Sequence, residues 1–212
     1  MGIEAHFDEA ARGRIAEAVR RAEALSRGQI VPVVVGKSDP YPEARFRGGL
    51  LAAALATAIV LALHVPLTLA ELPFVQVGAG LLGALLSRWD PVERLLAGER
   101  AMDEAVRARA VRAFHEHGLH RTAEGTGVLV FASLFEHEAV VLGDRGIHAR
   151  MEGEWDRAVA ALVAGMKAGD PEQGFVDAIA LCGARLAQHF PREGLSARPL
   201  NELEDAIRAS HT

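Results

Sequence analysis

The sequence predicts an α/β sandwich with a small mixed sheet, interrupted by a transmembrane helical hairpin. Three observations carry this expectation. Runs of β-branched residues, QIVPVVV at 29–35, GVLVFASL at 127–134 and EAVVLG at 138–143, have the composition of strands. Between and around them, apolar residues recur at helical spacing. Residues 48–87 hold one charged residue, Glu71, in 40 positions, whereas the other 172 positions hold 50 of the chain's 51.

The remaining composition sets bounds. The chain has 212 residues, a net charge of −5 and a pI near 6.0, which excludes a strongly basic nucleic-acid binder. Its one cysteine, Cys182, cannot form an internal disulfide and suits a reducing compartment.

The first element is an amphipathic helix within residues 3–27. Phe7, Ala11, Ile15, Ala18, Ala22 and Leu25 mark its apolar face and Gly28 follows it. Residues 29–35 form a buried strand. Pro32 removes one ladder donor, which places it at an edge or a bulge. Gly36-Lys37-Ser38-Asp39-Pro40 is a loop.

Next comes the apolar segment. GGLLAAALATAIVLAL at 48–63 and LPFVQVGAGLLGALLS at 72–87 are uncharged runs, joined by His64-Val65-Pro66-Leu67-Thr68-Leu69-Ala70-Glu71. Each run is somewhat short of the roughly 20 residues that cross a bilayer. Arg45 and Arg47 at one end, and Arg88 with Trp89 at the other, extend the reach by snorkelling and anchoring. Pro73 suits a first helical turn, with Glu71 at its positive end. The alternative is a pair of buried helices in a soluble fold, but such helices keep a polar stripe and these runs show none. The apolar run starts at residue 48, behind a charged helical pattern, which is not the position of a secretory leader.

Basic residues flank the hairpin (Lys37, Arg45 and Arg47 before it; Arg88, Arg94, Arg100 and Arg107 after it), and its connecting loop has none. The positive-inside rule then puts both soluble flanks in the cytoplasm and the tip across the membrane. Small residues recur four apart at Gly49, Ala53, Thr57 and at Ala79, Gly83, Ser87. They allow close helix packing, within the hairpin first and between two copies of the chain second. Gly78-Ala79-Gly80-Leu81-Leu82-Gly83 spells G-x-G-x-x-G but follows no strand, so it is not read as a dinucleotide site.

After the hairpin, Asp90-Pro91-Val92-Glu93 starts a helix, with Asp90 as N-cap, which Gly98 interrupts and Gly118 ends. Strands two and three form a hairpin through Phe135–Glu138. Trp155, Val159, Leu162, Val163 and Met166 mark another helical face. Asp170-Pro171-Glu172-Gln173 opens the next helix, with Phe175, Ile179, Cys182 and Leu186 inward and Pro191 beyond it. Residues 200–209 read as a short terminal helix. The helical crossover makes strands one and two parallel, and strand three returns antiparallel. The expected division is residues 1–46 plus 90–212 as the soluble domain and 47–89 as the membrane-inserted hairpin.

Gly127-Val128-Leu129-Val130-Phe131 running into a hairpin, Gly143-Asp144-Arg145-Gly146-Ile147, and Gly169-Asp170-Pro171-Glu172-Gln173-Gly174-Phe175 resemble the TPM domain family, over roughly residues 3–46 and 90–192. The resemblance implies a Rossmann-like α/β/α sandwich. It also implies links to acid phosphatase activity, calcium binding or membrane-complex maintenance. The family's acidic residue two before the glycine of the second strand is Gly125 here, with Glu124 adjacent. Its G-Y-G-[LF]-E-G after the third strand is Gly143-Asp144-Arg145-Gly146. Glu124 and Asp144 therefore stand in as candidate metal ligands.

Antiparallel neighbours bring the loop before strand two and the loop after strand three to one sheet edge. Glu124 and Asp144, with Glu152 and Glu154, converge there in this reading, and oxygen ligands suit calcium. The other readings are a solvated acidic loop and an Asp144–Arg145 ion pair. His115, His117 and His120 lack zinc-site spacing and suit a helix C-terminus. Ser38 and Ser133 are the hydroxyls nearest strand ends, and neither has a histidine partner by spacing. Lys37-Ser38-Asp39 lies at the carboxyl end of strand one, where α/β folds often bind ligands. Arg100, Arg107, Arg109 and Arg112 alternate with acids, as a solvated face does, and those nearest the hairpin can touch anionic lipid heads.

These features lead to an expected cytoplasm-facing, membrane-anchored binding or assembly module. Its expected partners are membrane lipid, a membrane protein and a second copy through the hairpin, with no nucleic acid. The resemblance supplies the alternative, a metal-dependent acid phosphatase.

Overall fold

Six consecutive apolar positions, Ile30 through Val35, have no polar side to turn to water, and strand β1 (Gln29–Val35) is accordingly buried along its whole length. A computed structural model describes residues 6–122, 125–147, 155–192 and 207–210. In chain order the further elements are α1 (Glu9–Ala24, before β1), α2 (Pro42–Ala62), α3 (Leu72–Leu86), α4 (Asp90–Ala97), α5 (Glu99–Glu116) and a 3-10 turn at Leu119–Arg121. They continue with β2 (Gly127–Ser133), β3 (Glu138–Gly143), α6 (Asp156–Ala168), α7 (Pro171–His189) and β4 (Arg208–Ser210).

The sheet order is β3-β2-β1-β4. β1 pairs parallel with β2, Gln29 opposite Gly127 through Val35 opposite Ser133. β3 returns antiparallel on β2, with Val130 opposite Val141. The sheet is therefore mixed, as expected. The expected terminal helix is not what residues 208–210 form. They add a fourth strand parallel to β1, opposite Val33–Val35, and residues 200–206 lie outside the described set. An edge strand takes its conformation from the ladder it joins, which local helical propensity does not encode. Among the described residues that ladder begins opposite Val33, one residue past Pro32. β1 is an inner strand, and Pro32 lies in unbroken register opposite Val130 of β2, not on an outer strand or at a bulge as expected.

The chain divides into two compact units, residues 1–38 with 104–212 and residues 39–103. The first is a three-layer α/β/α arrangement. On one sheet face Ile30, Val34, Val128, Val130 and Val141 pack with Ile15 and Val19 of α1, Leu162 of α6, and Phe175, Ile179 and Cys182 of α7. On the other, Val31, Val33, Leu129 and Phe131 pack with Val106, Ala110 and Ala113 of α5 and with Leu119. Alternation along β1 and β2 sends successive side chains to the two layers.

Local signals fix most ends. The Asp8 side chain accepts from Ala11 N at 2.7 Å and caps α1. Phe7, just outside the helix, is buried and meets Phe175 edge-on at 5.8 Å. The inward face of α1 uses Val19 rather than Ala18, and Leu25 is 63% exposed because the helix has ended. Asp170 accepts from Gln173 N at 3.0 Å at the start of α7. A Cβ on Gly165 would stand 2.6 Å from the Cα of Gly174, so α6 and α7 meet backbone to backbone.

The second unit contains α2, α3 and α4. It runs beyond residues 47–89 at both ends, because α2 is continuous from Pro42 and α4 packs back on it. Arg47 Nη1 donates to the carbonyls of Leu96 at 2.7 Å and Ala97 at 3.2 Å, closing the C-terminus of α4. Gly98, at φ 83°, separates α4 from α5. Asp90 is the first helical residue rather than the N-cap, a place taken by the extended Trp89.

Candidate functional site

The most distinctive surface is the outside of the α2–α3 hairpin. The two helices meet through residues without bulk. A Cβ on Gly83 would stand 2.5 Å from the Gly48 carbonyl oxygen, and one on Gly49 would stand 3.0 Å from that of Gly80. The expected small-residue stripe on α2 is used within the hairpin, but the α3 side runs through Gly80, Gly83 and Ser87 rather than Ala79. Spacing of four tracks a helix face only approximately at 3.6 residues per turn. Ser87 Oγ donates to the Gly83 carbonyl at 2.7 Å.

One polar contact crosses the hairpin. Gln76 Nε2 donates to Thr57 Oγ1 at 3.0 Å, and Thr57 Oγ1 donates to the Ala53 carbonyl at 2.9 Å. Gln76 was missed at the sequence level, although it is the one amide in its apolar run. At the tip Glu71 accepts from Thr68 N at 2.7 Å and Thr68 Oγ1 at 2.8 Å, so its carboxylate is taken up by the turn rather than by the helix end.

With the interior filled by small residues, the large ones point outward. Leu51, Leu55 and Leu61 of α2 are about 60% exposed or more, as are Phe74, Val77 and Leu81 of α3. By length and composition, α2 is the one described helix able to cross a membrane; α3 has 15 residues.

The first unit has two polar edges, at opposite ends of β2. At the carboxyl end, the parallel register sets Val35 beside Ser133. Ser38 follows β1, and its Oγ donates to Ser133 Oγ at 2.9 Å. Ser133 Oγ donates to the Glu136 carboxylate, which also accepts from Ser38 N at 3.0 Å. Ser133 and Glu136 are buried. Lys37 Nζ stands 4.2 Å from the Phe135 ring centre. The two hydroxyls singled out from the sequence thus come together, and their partner is a carboxylate rather than a histidine. The signal for Glu136 was its place three residues after Ser133 in the β2–β3 turn. Asp39 makes a local turn, accepting from Tyr41 N at 2.9 Å.

At the amino end of β2 the loops converge as expected. Asp144 N donates to the Gly127 carbonyl at 2.9 Å and Gly146 N to that of Gly125 at 3.2 Å. Asp144 is buried, and its Oδ1 accepts the backbone N–H of Arg145 at 2.7 Å. Glu124, Glu152 and Glu154 lie outside the described residues. Among the described residues no group of three or more His, Cys, Asp or Glu side chains gathers to hold a metal.

The histidines occupy the C-terminal end of α5. The rings of His115 and His120 lie 5.1 Å apart, tilted by 54°, and His117 Nδ1 lies 3.0 Å from Arg208 Nη1 of β4. Burial, then the Arg208 charge, holds the His117 imidazole below its ordinary value. Cys182 is buried on the inner face of α7, which pushes its thiol up to about 12.

No protein-family model matches the chain, and no curated protein matches it. Among solved structures it is similar to the NMR structure of the BA42 protein from the psychrophilic bacterium Bizionia argentinensis. That match has a TM-score of 0.61 and 20% identity over 99% of both chains. It supports the α/β fold.

Proposed function

We propose that this protein is a membrane-anchored α/β module of the TPM type, held by the α2–α3 hairpin with both flanks on the cytoplasmic side, and that it serves binding or assembly at the membrane. The observation that carries the reading is the inversion of the hairpin: small residues inside, large apolar residues outside. A soluble monomer rarely exposes contiguous apolar patches beyond a few hundred Å². Each large apolar side chain removed from water contributes about 1.5–3 kcal/mol, so a lipid solvent favours this surface strongly. Without hydrophobic drive between helices in lipid, close backbone packing and a Gln76–Thr57 type of hydrogen bond are what hold a hairpin together.

Alkaline carbonate washing of membranes from cells making the full chain tests the anchor. Retention in the pellet is expected, and recovery in the supernatant overturns it. For topology, a cysteine at Thr68 is expected to react with an impermeant maleimide added outside intact cells, with one at Arg12 unlabelled. The reverse pattern overturns the cytoplasmic assignment.

A second reading, a metal-dependent acid phosphatase, rests on the TPM resemblance and on the buried Asp144 carboxylate at the edge where the Gly125 and Gly146 loops meet. Calcium is the cation that an oxygen-ligand edge suits, with Glu124 and Asp144 as its proposed ligands. Hydrolysis of a phosphate monoester that depends on added calcium or magnesium and is lost in Asp144→Asn supports it. A purified chain inactive with both ions removes it.

A further inference from the structure

Helix α4 turns one acid inward and one leucine outward. Glu93 is 2% exposed, turned against α2 with its Oε1 3.8 Å from Arg45 Nε, and Ala97 is buried beside it. Leu95, on the outer face, is 81% exposed, and Pro91 is exposed as well. Trp89, which joins α3 to α4, is 70% exposed, and Phe46 of α2 is 68% exposed. A short helix in water places its acid outward and its leucine inward. Here Glu93 is withdrawn while Asp90 stays exposed, and Leu95, Pro91, Trp89 and Phe46 make an exposed apolar collar near the basic end of the hairpin.

We infer that α4 is an interfacial helix, seated in the headgroup–acyl boundary of the bilayer with Trp89, Leu95 and Phe46 toward lipid. The inference rests on the membrane anchoring proposed above and adds a second contact to it. Three features select a lipid interface as the partner of this helix. Along the chain the collar runs on into the exposed apolar positions of the hairpin: Phe46 precedes Leu50 and Leu51 of α2, and Trp89 follows Leu85 and Leu86 of α3. Trp89 is of the type enriched at headgroup depth. Exposed Arg47 and Arg88 lie at the same end, where cationic heads meet lipid phosphates. Arg47 also ties the collar to the hairpin, since its guanidinium holds the last carbonyls of α4.

Lipid quenching of tryptophan separates this inference from the anchor. In a Trp155→Phe background Trp89 is the one indole. The full chain is reconstituted in phosphatidylcholine–phosphatidylglycerol vesicles, with lipids brominated either near the carbonyls or near the chain ends. Trp89 is expected to be quenched more by the shallow bromines and to be shielded from aqueous iodide. Leu95→Glu is expected to lose that shallow quenching. A companion chain, Leu81→Trp with Trp89→Phe and Trp155→Phe, reports the hairpin and is expected to be quenched by the deep bromines. Deep quenching of that companion with Trp89 open to iodide overturns the interfacial helix while leaving the anchor standing. Loss of quenching at both positions overturns both.

Discussion

Gly83 lies against Gly48 across the α2–α3 hairpin so closely that a Cβ on Gly83 would stand 2.5 Å from the Gly48 carbonyl oxygen. That oxygen is backbone and cannot swing aside. Gly83→Val is therefore expected to force the helices apart and destabilise the hairpin by about 1–3 kcal/mol, the usual range for overpacking. Thermal unfolding of the detergent-solubilised chain checks this. Gly78, beside which a Cβ meets nothing within 4 Å, provides the control: Gly78→Ala is expected to leave the transition unchanged or slightly raised.

Removing the Ser133 hydroxyl leaves the buried Glu136 carboxylate one donor short. Ser133→Ala is expected to lower stability by about 1–3 kcal/mol in urea unfolding, the range for a buried group deprived of a partner. Ser38→Ala removes a hydroxyl that bonds Ser133 rather than the carboxylate, and its effect is expected to be smaller. Equal losses would show that the three groups do not act in the order the hydrogen bonds describe.

His117 supplies a pH dependence. Its folded value is held below the ordinary 6.5, chiefly by burial and then by Arg208 and Arg109, against the opposing pull of Glu116. The unfolded chain therefore takes up the proton first as pH falls. The contribution is complete above 6.5 and is lost on acidification toward the folded value. The thermal midpoint is expected to fall over that window and to fall less in His117→Gln. An unchanged pH slope in the variant would remove His117 as the source.

Cys182 is expected to be inert in the native chain. Burial pushes its thiol from 9.0 up to about 12, so almost no thiolate exists near neutral pH. Labelling by a thiol reagent at mildly alkaline pH is expected to track unfolding in urea, with no fast phase in its absence. The same shift makes stability decline as pH rises from 9.0 toward about 12, where only the unfolded thiol ionises. Rapid labelling of the folded chain would contradict the packing of α7.

Much of this was legible from residue order. The β-branched runs gave β1, β2 and β3 with their relative directions, since a helical crossover makes strands parallel and a four-residue turn makes them antiparallel. The two apolar runs gave the helical pair, and Gly98 and Gly118 marked helix ends through the left-handed backbone that glycine tolerates. These signals are local: they depend on periodicity, on composition and on single residues at breaks.

Three features needed the tertiary structure, because each depends on residues far apart in sequence. β4 is a strand because β1 offers it an open edge, which residues 208–210 do not announce. Glu136 entered the site because the parallel register carries Ser38 to Ser133, 95 positions away. The direction of each α4 face was decided by Arg45 and Arg47 on another helix, which draw Glu93 and the terminal carbonyls inward and leave Leu95 outside. Sequence determines what a segment can become on its own. Which side of it meets a partner is fixed when burial and hydrogen bonding are satisfied across the whole chain.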